Sequence, residues 1–128
     1  MTSWTHWCAV GVGAAVGAWM RWLLALAFNP LFPSLPLGTL AANATGGFFI
    51  GVAVEYFTGN AAVPPEVKLL VITGFLGGLT TFSTFSAEAV GLIAKQQIGW
   101  ALAHVGAHLA ASLALTAVGI WVVRLMRG

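Results

Sequence analysis

The chain has 128 residues, of which 59% are hydrophobic and 6% are charged. Soluble domains carry about 25% charged residues, so this composition excludes an ordinary soluble fold and predicts a membrane protein with the lipid bilayer as its solvent. Five Lys and Arg residues against three Glu residues give a net charge of +2, which is too little positive charge for a nucleic-acid-binding surface.

Four stretches of the sequence are long and apolar enough to cross a bilayer, which takes roughly 20 helical residues. They are predicted at about residues 4–28, 37–57, 67–94 and 98–125, and Pro, Asn and charged residues separate them. The first stretch is too long for a cleaved signal peptide and lacks a basic leading segment, so we expect it to stay as a helix. The sequence therefore predicts one all-α transmembrane domain of four helices over residues 1–128.

The Lys and Arg residues are divided almost evenly between the two sides of the membrane. With four spans, Lys68, Arg124 and Arg127 fall on the side of the termini, and Arg21 and Lys95 fall on the other side. Because an excess of Lys and Arg in short loops orients a membrane protein, this even division predicts insertion in both orientations and antiparallel pairing of two copies. The alternative is a small real bias that depends on where the helices end.

The second predicted helix carries polar residues on one face. Thr39 and Asn43 are four residues apart and therefore lie on the same side of the helix. An Asn in hydrocarbon is costly without a hydrogen-bond partner, so Asn43 either bonds a neighbouring helix or contacts a transported solute. Gly47 and Gly51 form a pair of small residues at a spacing that allows two helix backbones to approach closely.

The third predicted helix contains glycines near its midpoint. Lys68 and Lys95 mark its two ends, so Gly77, Gly78 and Thr80 lie near its centre, where Gly is unfavourable in a helix. We expect a break from Gly77 to Thr80, with the freed backbone carbonyls buried in protein or bound to an ion. The alternative is that the glycines only allow close packing of an intact helix.

Aromatic and hydroxyl side chains follow the expected break. Phe82 and Phe85 are three residues apart on a resumed helix and therefore share a face. Hydroxyl side chains occupy the surrounding positions: Thr81, Ser83, Thr84 and Ser86. Paired Phe residues are ordinarily packing residues, but a pair among four hydroxyls at mid-membrane favours contact with a solute.

The fourth predicted helix has a polar residue at every fourth position: His104, His108, Ser112 and Thr116. This spacing makes one stripe along the helix, which favours the wall of a polar path over isolated hydrogen bonds to backbone carbonyls. His104 and His108 also have the spacing of two metal-binding nitrogens, but no carboxylate or cysteine is expected nearby to complete such a site. Metal binding is therefore the less favoured interpretation.

Three segments together resemble the Fluc family of bacterial fluoride channels, also called CrcB proteins. They are GAWMRW at residues 17–22, GTLAANATGGF at residues 38–48, and GFLGGLTTFSTFS at residues 74–86. The third segment is long and unusual in composition, so it is a specific signal. The resemblance extends over essentially the whole chain.

This resemblance implies an antiparallel, dual-topology homodimer in the bacterial inner (plasma) membrane that exports fluoride and lowers its cytoplasmic concentration. It also implies a central sodium ion held by backbone carbonyls of the broken third helix, here those of Gly77 and Thr80. Nine residues are expected along the fluoride path: Asn43, Phe82, Phe85, Ser83, Thr84, Ser112, Thr39, His104 and His108. Arg21 is expected to have a structural role.

Two other function classes fit parts of the sequence. A small dual-topology multidrug exporter also has four spans, but it needs a membrane-embedded carboxylate in its first helix, where this chain has Arg21 and no acidic residue. A structural subunit of a larger membrane complex needs neither a broken helix nor a polar stripe. Enzymatic activity is not expected, because no nucleophile and base can be paired. The chain departs from the family at His104 and His108, where hydroxyl side chains are typical.

Overall fold

The computed structural model describes residues 2–128, and every long element in this range is helical. Four helical stretches are long and apolar enough to cross a membrane: Trp4–Leu31, Leu37–Thr58, Pro65–Ala94 and Ile98–Arg127. Each predicted span falls within one of these stretches. The chain is therefore an all-helical, multi-pass membrane protein.

The helices are numbered in chain order. The first span contains α1 (Trp4–Phe28) and a 3-10 turn (Asn29–Leu31), and the second is α2 (Leu37–Thr58). The third span contains α3 (Pro65–Lys68), a π-helical segment (Leu69–Leu76), α4 (Gly77–Leu79) and α5 (Phe82–Ala94). The fourth span is α6 (Ile98–Arg127).

The start of α2 is fixed by the side chain of Asn29. Its Oδ1 atom accepts hydrogen bonds from the backbone N–H groups of Gly38, at 2.7 Å, and Thr39, at 3.1 Å. These two N–H groups belong to the first turn of α2 and have no partner inside the helix. The cap therefore places Thr39, and Asn43 one turn later, at a defined position in the bundle.

Glycines bring the helices together in two pairs. A Cβ atom at Gly13 or Gly17 of α1 would overlap the backbone of the third span, and a Cβ atom at Gly51 of α2 would overlap the backbone of α6 at Thr116. Such contacts between backbones are typical of helices that associate in lipid. Lipid tails are as apolar as the side chains, so no hydrophobic driving force brings the helices together and close packing takes its place. The result is that α1 packs on the first half of the third span, and α2 packs on α6.

The third span loses its helical backbone at two residues. Thr80 has φ −91° and ψ 156°, and Thr81 has φ −152° and ψ 123°, so both are extended. Gly77 and Gly78, which belong to the segment predicted to be broken, are themselves helical. Gly78 packs against the backbone of Ala14 in α1. Close packing, the alternative role of the glycines, thus applies at Gly78.

Candidate functional site

A cavity of about 440 Å³ lies between α2, the interruption of the third span and α6. Seven of the predicted site residues line it: Asn43, Gly77, Thr80, Phe82, Phe85, His108 and Ser112. Five others are not among its lining residues: Thr39, Ser83, Thr84, His104 and Arg21. Residues far apart in the sequence therefore meet around one space that carries both polar groups and aromatic rings.

Asn43 bridges α2 to the interrupted backbone. Its Oδ1 atom accepts a hydrogen bond from the N–H of Thr81 at 2.7 Å, and its Nδ2 atom donates to the carbonyl of Thr81 at 2.9 Å. The two bonds fix which end of the amide is oxygen and which is nitrogen. They also satisfy the N–H and the carbonyl of Thr81, which have no helical partner because this residue is extended. Asn43 therefore stabilises the interruption.

The same amide sets the proton position on His108. The Nδ2 atom of Asn43 lies 3.1 Å from His108 Nδ1 and has a second N–H to donate. Because this nitrogen is a donor, His108 Nδ1 acts as the acceptor, and a neutral His108 carries its proton on Nε2. His108 Nε2 has no hydrogen-bond partner within residues 2–128, and the residue is only 4% exposed. His108 therefore carries a buried N–H donor without an acceptor in residues 2–128, and it is one of the residues that line the cavity.

The two predicted phenylalanines lie next to each other, and Phe85 also contacts the histidines. The ring centroids of Phe82 and Phe85 are 5.6 Å apart. Phe85 stacks on His104 at 5.2 Å and lies 4.7 Å from the His108 ring. Phe82 is 78% exposed in the single chain, whereas Phe85 is partly buried. The rings thus form a continuous series from the exposed Phe82 through Phe85 to the His108 ring.

A second polar cluster lies behind Phe85 and contains Glu88. The hydroxyl of Thr39 donates to Glu88 Oε2 at 2.7 Å, and Glu88 Oε1 lies 3.5 Å from His104 Nε2. His104 is fully buried, and its Nε2 atom is 3.3 Å from the carbonyl of Phe85. The expectation that no carboxylate lies near the two histidines is therefore wrong. Spacing places Glu88 on the same helix face as Phe85, three residues earlier, but its contact with the histidines depends on how α5 packs against α6.

The polar stripe on α6 divides between these two regions. His108, Ser112 and Thr116 all line the cavity, whereas His104 lies in the cluster with Glu88. The hydroxyl of Thr116 donates to the carbonyls of Ser112, at 2.7 Å, and Gly47, at 2.9 Å. Thr116 therefore ties α6 to α2, and the Ser112 side chain lies between it and His108 along the stripe.

The interruption removes the helical donors of several carbonyls, among them those of Gly77 and Thr80. In a continuous helix the N–H groups of Thr81 and Thr84 would donate to the carbonyls of Gly77 and Thr80. Here the N–H of Thr81 donates to Asn43, and the N–H of Thr84 donates to the Thr81 hydroxyl at 3.1 Å. Gly77 and Thr80 are the residues that the resemblance assigns to sodium. Free backbone carbonyls are the oxygen ligands that suit a hard cation, so these two residues fit such an ion.

Two further predicted residues support this region from outside the cavity. Arg21 of α1 donates from Nε to the carbonyl of Gly78 at 3.0 Å, so it satisfies another backbone group beside the interruption. The hydroxyls of Thr81 and Ser83 lie 3.3 Å apart, and Ser83 is exposed in the single chain. The Arg21 side chain thus donates to the backbone of the third span, and its structural role stays a prediction.

Together, four helices long and apolar enough to cross a membrane and a cavity lined by polar and aromatic residues define a small integral membrane protein with a cavity among its helices. The family model described as CrcB-like protein, Camphor Resistance (CrcB), matches residues 8–120. The chain belongs to this family.

Curated relatives match nearly the full length of the chain. A protein of Nitrosospira multiformis is 58% identical over 116 residues, which cover 91% of each chain. One of Ralstonia pickettii is 60% identical over 116 residues, covering 91% of this chain and 92% of the relative, and one of Cupriavidus pinatubonensis is 57% identical over 118 residues, covering 92% and 94%. All three relatives carry the name fluoride-specific ion channel FluC.

Proposed function

We propose that this chain forms a fluoride-selective ion channel that exports F⁻ across the bacterial inner membrane and so lowers cytoplasmic fluoride. The channel relatives named above support an ion channel rather than an enzyme. The observation that carries the proposal is the N–H donor of His108, which is buried, has no protein acceptor within residues 2–128 and lies beside Phe85 at the cavity.

The lining of the cavity suits a small anion that has lost its water. Such an ion needs partial positive charge along its path, but a full fixed charge would bind it too tightly for release. The N–H of His108 and the hydroxyl of Ser112 can donate hydrogen bonds, and the ring edges of Phe82 and Phe85 are the positive rims of aromatic quadrupoles. Chloride is larger and accepts weaker hydrogen bonds, so a narrow path of this kind should exclude it, and the preference for fluoride itself rests on the similarity to the named channel relatives.

Asn43 has an indirect part in this proposal. Its N–H groups already donate to Thr81 and to His108, so it has little capacity left to donate to the anion. Its contribution is to hold the interrupted backbone and to keep the proton of His108 on the nitrogen that faces away from Asn43. We expect Asn43 to position the path rather than to contact fluoride throughout transport.

The proposal includes an antiparallel homodimer with dual topology. The even division of Lys and Arg supports it, as does the large exposed surface of Phe82, which a second copy would cover. A tag at the C-terminus, probed with a membrane-impermeant reagent from each side in turn, tests the topology. We expect about half of the molecules to react from each side, and reaction from one side only in every molecule would refute dual topology.

A central sodium ion completes the proposal. The carbonyls of Gly77 and Thr80 from two subunits would hold it, and its charge would stabilise four backbone oxygens that have no N–H partner. None of the residues lining the cavity is acidic, which suits a singly charged ion better than a divalent one.

Fluoride efflux from liposomes tests the proposed function. The purified chain alone is reconstituted with fluoride inside, and efflux is followed with a fluoride electrode after a potassium ionophore is added to balance charge. We expect rapid fluoride efflux and no chloride efflux from matched chloride-loaded vesicles. Vesicles that release neither anion although the protein is folded and inserted would refute a channel formed by this chain alone.

A further inference from the structure

We propose that Glu88, His104 and His108 form a binding site for a divalent transition-metal ion of the Zn²⁺ class. Each residue offers one ligand atom, and these atoms all lie within 4.8 Å of one another. The two histidines are one turn apart on α6, with ring centroids 4.4 Å apart, and Glu88 reaches them from α5. This site goes beyond fluoride transport and does not depend on it.

Burial and unused bonding capacity distinguish this cluster from an accidental group of polar residues. His104 is fully buried and His108 is 4% exposed. One atom of each residue is buried without a hydrogen-bond partner within residues 2–128: Glu88 Oε1, His104 Nδ1 and His108 Nε2. Burying a polar atom without a partner costs free energy, and one metal ion shared by the three residues would give all three atoms a partner.

The remaining atoms of the three residues have the partners that metal ligands commonly have. The Thr39 hydroxyl holds Glu88 Oε2 at 2.7 Å, which leaves Oε1 free, and the carbonyl of Phe85 lies 3.3 Å from His104 Nε2. Hydroxyl and carbonyl groups of this kind orient carboxylate and imidazole ligands in metal sites. The ligands are therefore held in place before an ion arrives.

The ligand set selects the class of ion. Two imidazole nitrogens and one carboxylate oxygen suit Zn²⁺, Co²⁺ or Ni²⁺, whereas Mg²⁺ and Ca²⁺ prefer sites made of oxygen alone. Glu88 makes no ion pair with Lys or Arg in residues 2–128, so no fixed cation competes for its charge. Three protein ligands leave a fourth position open to water or to an anion.

Occupation of the site changes the proton arrangement at His108. A metal ion can bind Nε2 only if the proton leaves it, and the neutral ring then carries its proton on Nδ1. Nδ1 would then face the N–H of Asn43, so that 3.1 Å hydrogen bond is exchanged for a metal–nitrogen bond. The ion thereby removes the free N–H donor of His108, so a metal ion and an anion would compete for the same ring nitrogen.

Binding is tested on purified full-length protein in detergent and in fluoride-free buffer, without a polyhistidine tag. Cys8 is exposed and would bind soft metals, so every variant carries Cys8→Ser. Co²⁺ is titrated while its visible absorption is recorded, and Zn²⁺ is then added as a competitor. We expect a spectrum of low-coordinate Co²⁺, about one ion per chain, displacement by Zn²⁺ and no displacement by Mg²⁺.

Two substitutions and one matched control locate the site. Glu88→Gln and His108→Gln each remove one ligand and should weaken Co²⁺ binding at least about tenfold. His6→Gln removes the third histidine of the chain, which lies near the N-terminus, 3.4 Å from Glu66. This control should leave Co²⁺ binding unchanged. Elution of each variant as the parent species on size exclusion shows that it is folded. Equal binding by the parent, Glu88→Gln and His108→Gln, or loss in His6→Gln alone, would overturn the proposal.

The effect of the ion on fluoride efflux rests on the proposed function and is measured separately. Zn²⁺ should reduce efflux through the parent and reduce it less through Glu88→Gln, each compared with its own metal-free rate. If Co²⁺ binds as expected but the parent conducts no fluoride, the channel proposal fails and the metal site stands. If fluoride passes but Co²⁺ finds no site that depends on Glu88, the metal site fails alone.

Discussion

The two halves of the third span are built on different physical principles. Before the interruption, the chain packs on α1 by backbone contact, with Gly13 and Gly17 facing the π-helical segment and α4. After it, α5 meets α6 through side chains, with Phe85 and Glu88 against the two histidines. Thr80 and Thr81 separate the halves, and Asn43 holds the junction.

This difference shows how one span serves both assembly and chemistry. A backbone contact has no spare volume, so any added atom must push two helices apart. A side-chain contact leaves room for polar groups and for a cavity between them. We therefore expect larger residues at the close-packed glycines of the first half to abolish assembly, and substitutions in the second half to change transport in a folded protein.

Gly78→Leu should have the largest effect. A Cβ atom at Gly78 would overlap the backbone of Ala14, which cannot move without separating α1 from the third span. We expect loss of the folded species on size exclusion and no fluoride efflux. Gly91→Leu is the matched control in the second half, since a Cβ atom at Gly91 meets nothing within 4 Å. A folded, active Gly78→Leu protein would contradict the comparison.

Replacement of sodium should have the next largest effect, because the proposed ion sits at the junction of the halves. With a large organic cation such as N-methylglucamine in place of Na⁺, the carbonyls of Gly77 and Thr80 would lose their partner. We expect a weaker dimer, measured by subunit exchange in detergent, and little fluoride efflux. Potassium serves as a cation of intermediate size. If neither the rate of subunit exchange nor the rate of fluoride efflux depends on the cation, the sodium ion is absent or has no structural role.

Phe85→Ile should lower fluoride efflux by about tenfold or more while the protein stays folded. Ile keeps the apolar bulk but removes the ring edge and the stack on His104, and a loss of about 1.4 kcal/mol at the barrier is tenfold in rate. Phe82→Ile should act in the same direction. The matched control is Phe75→Ile in the first half, where the ring does not line the cavity. An efflux rate equal to the parent's in both Phe82→Ile and Phe85→Ile would identify them as packing residues.

Ser112→Ala should have the smallest effect, a few-fold reduction in efflux. One neutral hydrogen bond is worth about 1 kcal/mol, and the other donors of the path remain. Ser83→Ala is the control, because Ser83 is exposed in the single chain and does not line the cavity. If Ser83→Ala reduces fluoride efflux as much as Ser112→Ala does, the fluoride path extends beyond the cavity of one chain.

Several features of the site were predictable because they depend on residues that are close in the sequence. The four-residue spacing on α6 indicated the polar stripe, and the three-residue spacing of Phe82 and Phe85 indicated adjacent rings. Glu88 was missed because its contacts depend on α2 and α6. Its partners Thr39 and His104 lie 49 and 16 residues away, a distance that no local pattern spans.

The sequence by itself determined the class of protein, the four spans, the polar stripe and the family, because composition and periodicity follow from the lipid solvent and from helix geometry. Only the tertiary structure decided that the backbone becomes extended at Thr80 and Thr81, since Asn43 on another helix satisfies the groups that are released. It also decided that His108 keeps a free N–H and that Glu88 joins the histidines. These outcomes depend on which helices touch, and in lipid that is set by backbone contacts at glycines and by buried hydrogen bonds between distant residues.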